Sequence, residues 1–177
     1  SCMVHRIEVK NKYADPRAEM RKKQLKFEKI EQLEIADVYT LESDFSETEL
    51  QQIANSLHNQ VSEIAFINQP AHVQPFDYAI EISFLPGVTD NIGNTAQEEI
   101  EDLLKKKFNK EERVYSSQIT FIKGKLTEKE ASQIGNNLAN PLIQRIHIKS
   151  FEQFHKENGM NKIIPKVKLV QEPKVSE

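Results

Sequence analysis

The chain has 177 residues, of which 38% are hydrophobic and 29% are charged, and its formal net charge is -3. These values allow a folded core, and they lack the positive charge expected of a protein that binds nucleic acid or an acidic membrane surface. No apolar run approaches the roughly 20 residues that a membrane-spanning helix needs. The single cysteine, Cys2, suits a reducing compartment, so we expect a cytoplasmic protein. We interpret Cys2 as an exposed terminal residue rather than a reactive thiol.

The first predicted elements are a strand and a basic helix. Residues 6–13 alternate apolar and charged side chains, which predicts a half-buried strand. Asp15 and Pro16 then resemble an N-cap followed by a proline in the first turn, and a helix is predicted over residues 17–29. Its many lysines and arginines favour a solvated face over a phosphate-binding patch. The side chains expected to pack are Met20, Leu25 and Phe27.

A long strand over residues 33–43 precedes a second helix with a clear start. Ser46 and Glu49 have the spacing of a capping box, in which each side chain bonds a free backbone N–H of the first turn. We expect Asn59 to end this helix in the left-handed conformation, and a strand to follow over residues 61–67. The apolar stripe that predicts the buried face consists of Leu50, Ile53, Ala54 and Leu57.

The stretch 46–59 recurs 81 residues later as residues 127–140. The two stretches align without a gap, and seven of the fourteen aligned pairs are identical. A repeat at this spacing indicates two copies of one structural unit. The chain is therefore expected to contain a first unit, a proline-containing linker, a second unit and a tail, at residues 4–68, 69–76, 77–150 and 151–177.

The second unit is predicted to repeat the order strand, helix, strand, helix, strand. Its elements span residues 77–85, 95–108, 113–123, 127–140 and 142–149. Gly135 indicates a close approach between the second helix and the sheet. The tail includes a stretch at 166–172 that fits one further extended segment, and we interpret the whole tail as a linker to a following domain. The buried stripe expected on the first helix of this unit consists of Ile100, Leu103, Leu104 and Phe108.

The longest irregular stretch, residues 85–96, holds two of the five glycines and precedes a helix. Gly87 and Gly93 would allow its backbone N–H groups to hold an anion, but the lysine and the spacing of a phosphate-binding loop are missing. The favoured interpretation is a structural or docking loop. The candidate partner-docking residues are Pro86, Gly87, Thr89, Asp90, Asn91 and Asn94.

Sequence motifs for catalysis, for metal binding and for nucleotide binding are missing, and the five histidines are dispersed. We therefore predict no catalytic, cofactor-binding or metal-binding residue in this chain. Asn55 and Asn136, which the repeat retains, are interpreted as hydrogen-bonding groups between helix and sheet, with a ligand contact as the alternative. Three carboxylates of the helix over 95–108 are interpreted as its solvent face rather than as an acid–base pair. They are Glu99, Glu101 and Asp102.

The second unit resembles PurS, the small subunit of phosphoribosylformylglycinamidine synthase. The shared features are a strand ending in LPGVTDN, a helix, the strand RVYSSQITFIKG, an acid-capped helix and the ending LANPLIQRIHI. The tandem arrangement, over residues 6–150, is similar to the amino-terminal region of the large single-chain form, PurL, in which two fused PurS-like units replace a PurS dimer. The resemblance implies an α+β fold of two β-α-β-(β)-α-β units in ferredoxin-like order. These units would form mainly antiparallel sheets, pack their helices on one face and be related by a pseudo-twofold axis.

Two features depart from the PurS pattern. Neither residues 33–43 nor residues 113–123 contain the internal glycine that marks a turn between the second and third strands of PurS. Each stretch is therefore either a hairpin or one long strand, and the number of strands in a unit stays open. The first unit also lacks the Pro-Gly loop.

The resemblance also implies a role without catalysis. The PurS-like part bridges the synthetase and glutaminase parts of the enzyme and helps to form a protected path for ammonia. ATP and Mg²⁺ would bind in the rest of the enzyme, and this chain would hold no cofactor. The expected partners are the synthetase and glutaminase domains or subunits, with no nucleic acid and no membrane. The alternative function is a ligand-sensing regulatory module of tandem ferredoxin-like units, with the 85–96 loop and the repeated asparagines as its site.

Overall fold

Strands and helices alternate along most of the chain. The structure, a computed structural model, describes residues 3–162, 164 and 165. The described residues form an α+β fold with six strands and five helices. The strands are β1 (Val4–Asn11), β2 (Gln32–Glu42), β3 (Glu63–Ile67), β4 (Tyr78–Phe84), β5 (Arg113–Lys123) and β6 (Gln144–Ser150). The helices are α1 (Pro16–Leu25), α2 (Glu47–Leu57), α3 (Asn91–Leu104), α4 (Glu128–Leu138) and α5 (Phe151–Lys156). None of these helices is long and apolar enough to cross a membrane.

All six strands form one antiparallel sheet with the order β3-β1-β2-β5-β4-β6. The chain divides into two halves, residues 4–67 and residues 78–150. Each half contributes three neighbouring strands, and its third strand lies at the edge of the sheet, its first strand comes next and its second strand lies at the centre. The halves meet where β2 pairs with β5 along its full length, from Gln32 opposite Lys123 to Glu42 opposite Arg113. β2 and β5 are each one continuous strand of 11 residues, so neither contains a hairpin.

Helices α1 to α4 cover one side of the sheet, which we term the helix face. α2 and α3 bury Ile53 and Ile100 in one apolar cluster, and α1 and α4 bury Ala18 and Ile134 in a second. Full burial of an isoleucine side chain stabilises the fold by roughly 1.5–3 kcal/mol. Both clusters combine a helix from each half with strands from both halves, so the two halves share their cores. For these four helices the predicted packing on one face is confirmed.

The opposite side of the sheet, which we term the open face, is partly covered by residues 68–76 and by α5. The Phe76 ring lies 5.0 Å from that of Phe121 and 5.2 Å from that of Phe154, measured between centroids. Ala71 and Met160 are buried in the same apolar cluster. α5 lies outside the two predicted units, and no helix was expected there.

The linker and the beginning of the tail are thus packed parts of the fold. The first residues of the predicted tail are folded, because α5 begins at residue 151 and Met160 is buried in the apolar cluster of the open face. Within the described part, Lys149 Nζ donates to the Gly159 carbonyl oxygen over 2.7 Å, which holds this segment in place. Cys2 and the stretch 166–172 lie outside the described residues.

The repeated helices both begin with the predicted capping box. The Glu49 and Glu130 N–H groups donate to Ser46 Oγ and Thr127 Oγ1, each over 3.1 Å. In return, each glutamate carboxylate accepts the backbone N–H of its capping residue over 2.9 Å. These bonds satisfy donors that a helix terminus would otherwise leave free, which explains why the pattern marks both starts correctly.

The ends of the repeated helices differ from the prediction. Asn59 does not adopt the left-handed conformation. The chain instead leaves α2 at His58, which is extended. Asn59 instead accepts the N–H of Val61 on Oδ1 over 2.9 Å, and Asn140 accepts that of Leu142 over 3.1 Å. The repeated asparagine thus organises the turn that leads into β3 and β6.

Two apolar residues expected in the core are exposed. Met20 is 62% exposed and Leu103 is 43% exposed, so neither belongs to the packed face of its helix. α1 also ends at Leu25, earlier than predicted, because Lys26 adopts the left-handed conformation with φ 51°. The other expected side chains do pack against the apolar clusters, namely Leu25, Phe27, Leu104 and Phe108.

The retained asparagines inside the helices lie on the solvent side. Asn55 and Asn136 are both exposed, and Asn55 Oδ1 accepts a hydrogen bond from Gln51 Nε2 over 3.0 Å. The interpretation that they bond between helix and sheet is therefore wrong. The close approach indicated by Gly135 is confirmed, because a Cβ atom there would lie 3.0 Å from Ile146 Cδ1.

A buried ion network on the open face joins the two halves. Arg6, which is 4% exposed, donates from Nε to Glu8 Oε2 over 2.8 Å and from Nη1 to Glu81 Oε2 over 3.0 Å, and Nη2 also bonds Glu81. Ser117 Oγ donates to the Glu81 carboxylate over 2.7 Å, and the Ala71 N–H donates to that of Glu8 over 3.1 Å. Burial disfavours the charge of Arg6, but the two carboxylates outweigh it and raise the pKa of Arg6.

Replacing Arg6 with methionine would leave two carboxylates buried without their cation. Removing one partner of a buried ion pair typically costs 3–5 kcal/mol, so we expect Arg6→Met to lower the free energy of unfolding by about 3–5 kcal/mol. Urea denaturation followed by circular dichroism measures this change. Arg17, whose half-exposed side chain bonds Asp15 and Asp37, is the matched control, and Arg17→Met should cost about 1 kcal/mol or less. Equal losses in the two variants would contradict the role given to Arg6.

Candidate functional site

The loop singled out in the sequence is shorter than predicted, because α3 begins at Asn91. Asp90 is the N-cap of this helix, and its Oδ1 accepts the N–H of Gly93 over 2.8 Å. Gly93 therefore lies in the first helical turn and does not belong to an irregular anion-binding loop. The predicted irregular stretch 85–96 reduces to residues 85–90, which we term the 85–90 loop.

The 85–90 loop opens with a tight turn. The Val88 N–H donates to the Leu85 carbonyl oxygen over 3.2 Å, and Gly87 between them has φ 82°. A side chain with a Cβ atom is disfavoured at that φ, which accounts for the glycine after Pro86. The Leu85 N–H donates to the Ile143 carbonyl oxygen over 2.8 Å, so the loop starts from a fixed position beside the turn before β6.

Asp90 also fastens the loop to β5. Its Oδ1 accepts the Ser116 hydroxyl and its Oδ2 accepts the Ser116 N–H, each over 2.6 Å. Asp90 is 9% exposed, and both of its oxygens are engaged by the chain itself. Its role is therefore to position the loop and the start of α3, and its carboxylate is not free to bind a ligand.

A cavity of about 390 Å³ lies between the 85–90 loop and the open face of the sheet. Its volume is within the range of small-molecule sites. Four of the six candidate docking residues line it, namely Gly87, Thr89, Asp90 and Asn94. Asn91 instead borders a separate groove on α3, together with Tyr39 and Glu99. The open face contributes the polar residues Thr40, Glu81, Ser83, Tyr115, Ser117 and His147.

Three neighbouring side chains of β4 and β6 carry enclosed polar atoms without a hydrogen-bond partner in the described part of the chain. The atoms are Ser83 Oγ, His147 Nε2, and Nε and Nη2 of Arg145. Ser83 and His147 line the cavity, and Arg145 lies beside it, opposite Ser83. In the pairing of β4 with β6, Ser83 lies opposite Arg145, and Glu81 lies opposite His147. Because side chains two residues apart in a strand share a face, all of them project from the open face.

Burial lowers the pKa of His147, and the nearby guanidinium of Arg145 lowers it further. Glu81 acts in the opposite direction, and Arg6 adds to the lowering. His147 is therefore neutral near pH 7. A neutral imidazole beside a guanidinium with two unpartnered nitrogen atoms makes this edge of the cavity rich in hydrogen-bond donors.

The other sequence candidates do not converge on the cavity. Glu99 and Asp102 are exposed on α3, as expected for its solvent face, whereas Glu101 accepts the Phe108 N–H over 2.7 Å and closes the turn after the helix. No group of three or more potential metal ligands occurs among the described residues. Sequence reasoning missed Arg145 and His147, although polar residues alternating with isoleucines in QRIHIKS marked one polar face of that strand.

No protein-family model matches this chain, and no curated protein matches it either. The resemblance to PurS therefore comes from the sequence motifs alone. A function has to be inferred from those motifs together with the fold and the cavity.

Replacing Asp90 with alanine removes the acceptor of three hydrogen bonds. Because one is an N-cap bond and the others leave Ser116 unsatisfied, we expect Asp90→Ala to lower the free energy of unfolding by about 2–4 kcal/mol. Urea denaturation measures the loss. Asn94→Ala, an exposed change in the same helix, should stay within about 0.5 kcal/mol and is the control. Similar values for both variants would show that Asp90 does not hold the loop.

The lowered pKa of His147 predicts a dependence of stability on pH. Because the folded chain holds the imidazole less protonated than the unfolded chain does, stability is unaffected above about pH 6.5 and is lost as the pH falls below that value. An NMR titration should place the His147 midpoint below about 6.5. His147→Gln should remove part of the stability loss, and His5, whose pKa burial also lowers, should supply a remaining part. A midpoint at or above the ordinary value would contradict the neutral, buried imidazole.

Proposed function

We propose that this chain is a PurS-like scaffold of phosphoribosylformylglycinamidine synthase. In this role two fused units, which carry out no catalysis themselves, bridge the synthetase and glutaminase parts for ammonia transfer. The observation that carries the proposal is the register at the middle of the sheet. Asp37 lies opposite Gln118, and these positions are 81 residues apart, the offset that also relates the repeated helices. Pairing of equivalent positions is what a pseudo-twofold axis between β2 and β5 produces.

The outer strands support the same axis. Glu8 lies opposite Phe66, and Glu81 lies opposite His147, with Phe66 and His147 again 81 residues apart. Each half then follows the order strand, helix, strand, helix, strand, with its first strand between the other two. This order supports a PurS-like unit in which one long strand replaces the hairpin of the ferredoxin-like order. Two such units joined in one sheet resemble a PurS dimer made from a single chain.

The surface offers matching contact points for large partners. Val61 and Leu142 occupy equivalent positions in the turns before β3 and β6, and they are 82% and 84% exposed. Apolar side chains this exposed are available for contact with another protein, and one of them precedes each outer strand. Their repetition at both ends of the sheet suits a scaffold that holds one partner at each end.

A ligand-sensing module is the second candidate, and the cavity beside the 85–90 loop favours it. The retained asparagines do not, because Asn55 and Asn136 lie on the solvent side of the helices and do not line that cavity. The two functions differ in an observable way. A sensor binds a small molecule in the absence of any partner, whereas a scaffold binds the two enzyme parts in the absence of a small molecule.

Co-purification and isothermal titration with the synthetase and glutaminase parts test the scaffold role. We expect the chain to bind both parts, and we expect Val61→Asp with Leu142→Asp to weaken binding at least tenfold, which is about 1.4 kcal/mol. The matched control is Gln52→Asp with Gln133→Asp, which adds the same charges at exposed equivalent positions on α2 and α4. A folded wild-type chain with no measurable affinity for either part would rule the proposal out.

A further inference from the structure

We propose that a cluster of unpartnered donors at the edge of the cavity beside the 85–90 loop binds a small anion that carries a phosphate or carboxylate group. The donors belong to Arg145, His147 and Ser83. Such a site goes beyond the scaffold role and does not depend on it. The ligand class follows from the atoms that the fold leaves without partners and from the charges around them.

The unpartnered atoms of Arg145 form a fork. Nε–H and Nη2–H lie on the same edge of the guanidinium plane and point in parallel, which matches the spacing of two oxygens of a carboxylate or phosphate. Ser83, opposite Arg145 in the register, supplies a hydroxyl that can donate a third bond. His147 adds Nε2, which donates in one neutral tautomer and when protonated. The fork and the two flanking groups thus bring unpartnered donors from two paired strands next to one another.

Enclosing the polar atoms of Arg145, His147 and Ser83 without hydrogen-bond partners is energetically unfavourable. Buried polar atoms are hydrogen-bonded in nearly all proteins, and an enclosed charge without a counter-ion is more costly still. The described part of the chain provides no acceptor for Ser83, Arg145 or His147 at the atoms named above. A bound anion would satisfy the guanidinium fork and the hydroxyl together, which explains why such a costly group can be kept in the fold.

The surrounding charges favour an anion over a cation. The two carboxylates closest to the donors are already engaged, Glu81 by Arg6 and Ser117, and Asp90 by α3 and Ser116. At the rim, Lys110 and Arg113 are exposed and would attract an anion, with Glu111 between them in sequence as the one exposed acid of the lining. Of the charged side chains at or beside the cavity that these bonds do not engage, Lys110, Arg113 and Arg145 are basic and Glu111 is acidic.

The donor cluster is not a by-product of the repeated fold. At the corresponding places in the first half, Lys10 lies opposite Ile64, and Glu8 lies opposite Phe66. Lys10 is paired with Glu34 over 3.0 Å, and Phe66 is buried in the apolar cluster of the open face. The first half thus satisfies or buries these positions, whereas the described residues of the second half leave enclosed donors without partners there.

Titration of the 177-residue chain with defined anions tests the site. The probes are inorganic phosphate, citrate and adenosine monophosphate, each compared with chloride at equal ionic strength. The readouts are the NMR pH titration of His147 and the melting temperature. We expect at least one probe to raise both the His147 pKa and the melting temperature, because an anion favours the protonated imidazole and binds the folded chain only. Tighter binding of the nucleotide than of phosphate would identify a phosphorylated metabolite, and tighter binding of citrate a carboxylate.

Arg145→Gln should weaken binding of the best probe at least tenfold, while Lys129→Gln should leave it unchanged. Lys129 is exposed on α4, so this control removes the same charge away from the cavity. Without added anion, Arg145→Gln should melt at or above the wild-type temperature, because it removes an unpaired enclosed charge. Ser83→Ala provides an independent weakened variant if Arg145→Gln does not fold. The site is excluded if the wild-type chain responds to no probe, or if Arg145→Gln and Lys129→Gln bind the probe equally well.

Discussion

The pairing of β2 with β5 is the constraint on which the rest of the structure depends. Without it, each half would be a three-stranded sheet whose longest strand lay at an open edge, where it could pair with other chains. The pairing places α2 beside α3 and α1 near α4, so each apolar cluster on the helix face draws on both halves. A slip of one residue would turn every side chain of one half to the wrong face. The shared apolar core can therefore form only when β2 pairs with β5.

The apolar pattern excludes a slip of one residue, but a slip of two residues would keep every side chain on its own face. Polar bonds lie on both faces of the junction and specify the register. On the helix face, Gln118 Nε2 donates to Asp37 Oδ1 over 2.9 Å, and Arg21 donates to Gln118 Oε1 over 2.7 Å. On the open face, Arg6 reaches Glu81 across the strands between them. The same junction that shares the core therefore also carries bonds that only one register can satisfy.

The elements with local signals could be predicted from the sequence, and those that depend on strand pairing could not. Capping boxes and apolar stripes identified both repeated helices, because the residues that decide them are neighbours in the chain. The start of α3 was missed because Gly93 weakens the helical pattern and Asp90 has no capping-box partner three residues later. The loop at the cavity was identified as a candidate site, but its donors were not. Ser83 and Arg145 become neighbours only when β4 pairs with β6, which no local pattern specifies.

The ion network of Arg6 shows what a fused pair of units permits. The place of Arg6 in the first strand is taken by Ala79 in the second half, so a single arginine serves the two equivalent carboxylates of Glu8 and Glu81. A symmetric dimer of identical subunits could not hold this arrangement, because any residue at one position would also appear at its mate. Joining the units in one chain removes that symmetry requirement. Each surface can then exist once per molecule, so that a partner or ligand binds with a fixed orientation and a valency of one.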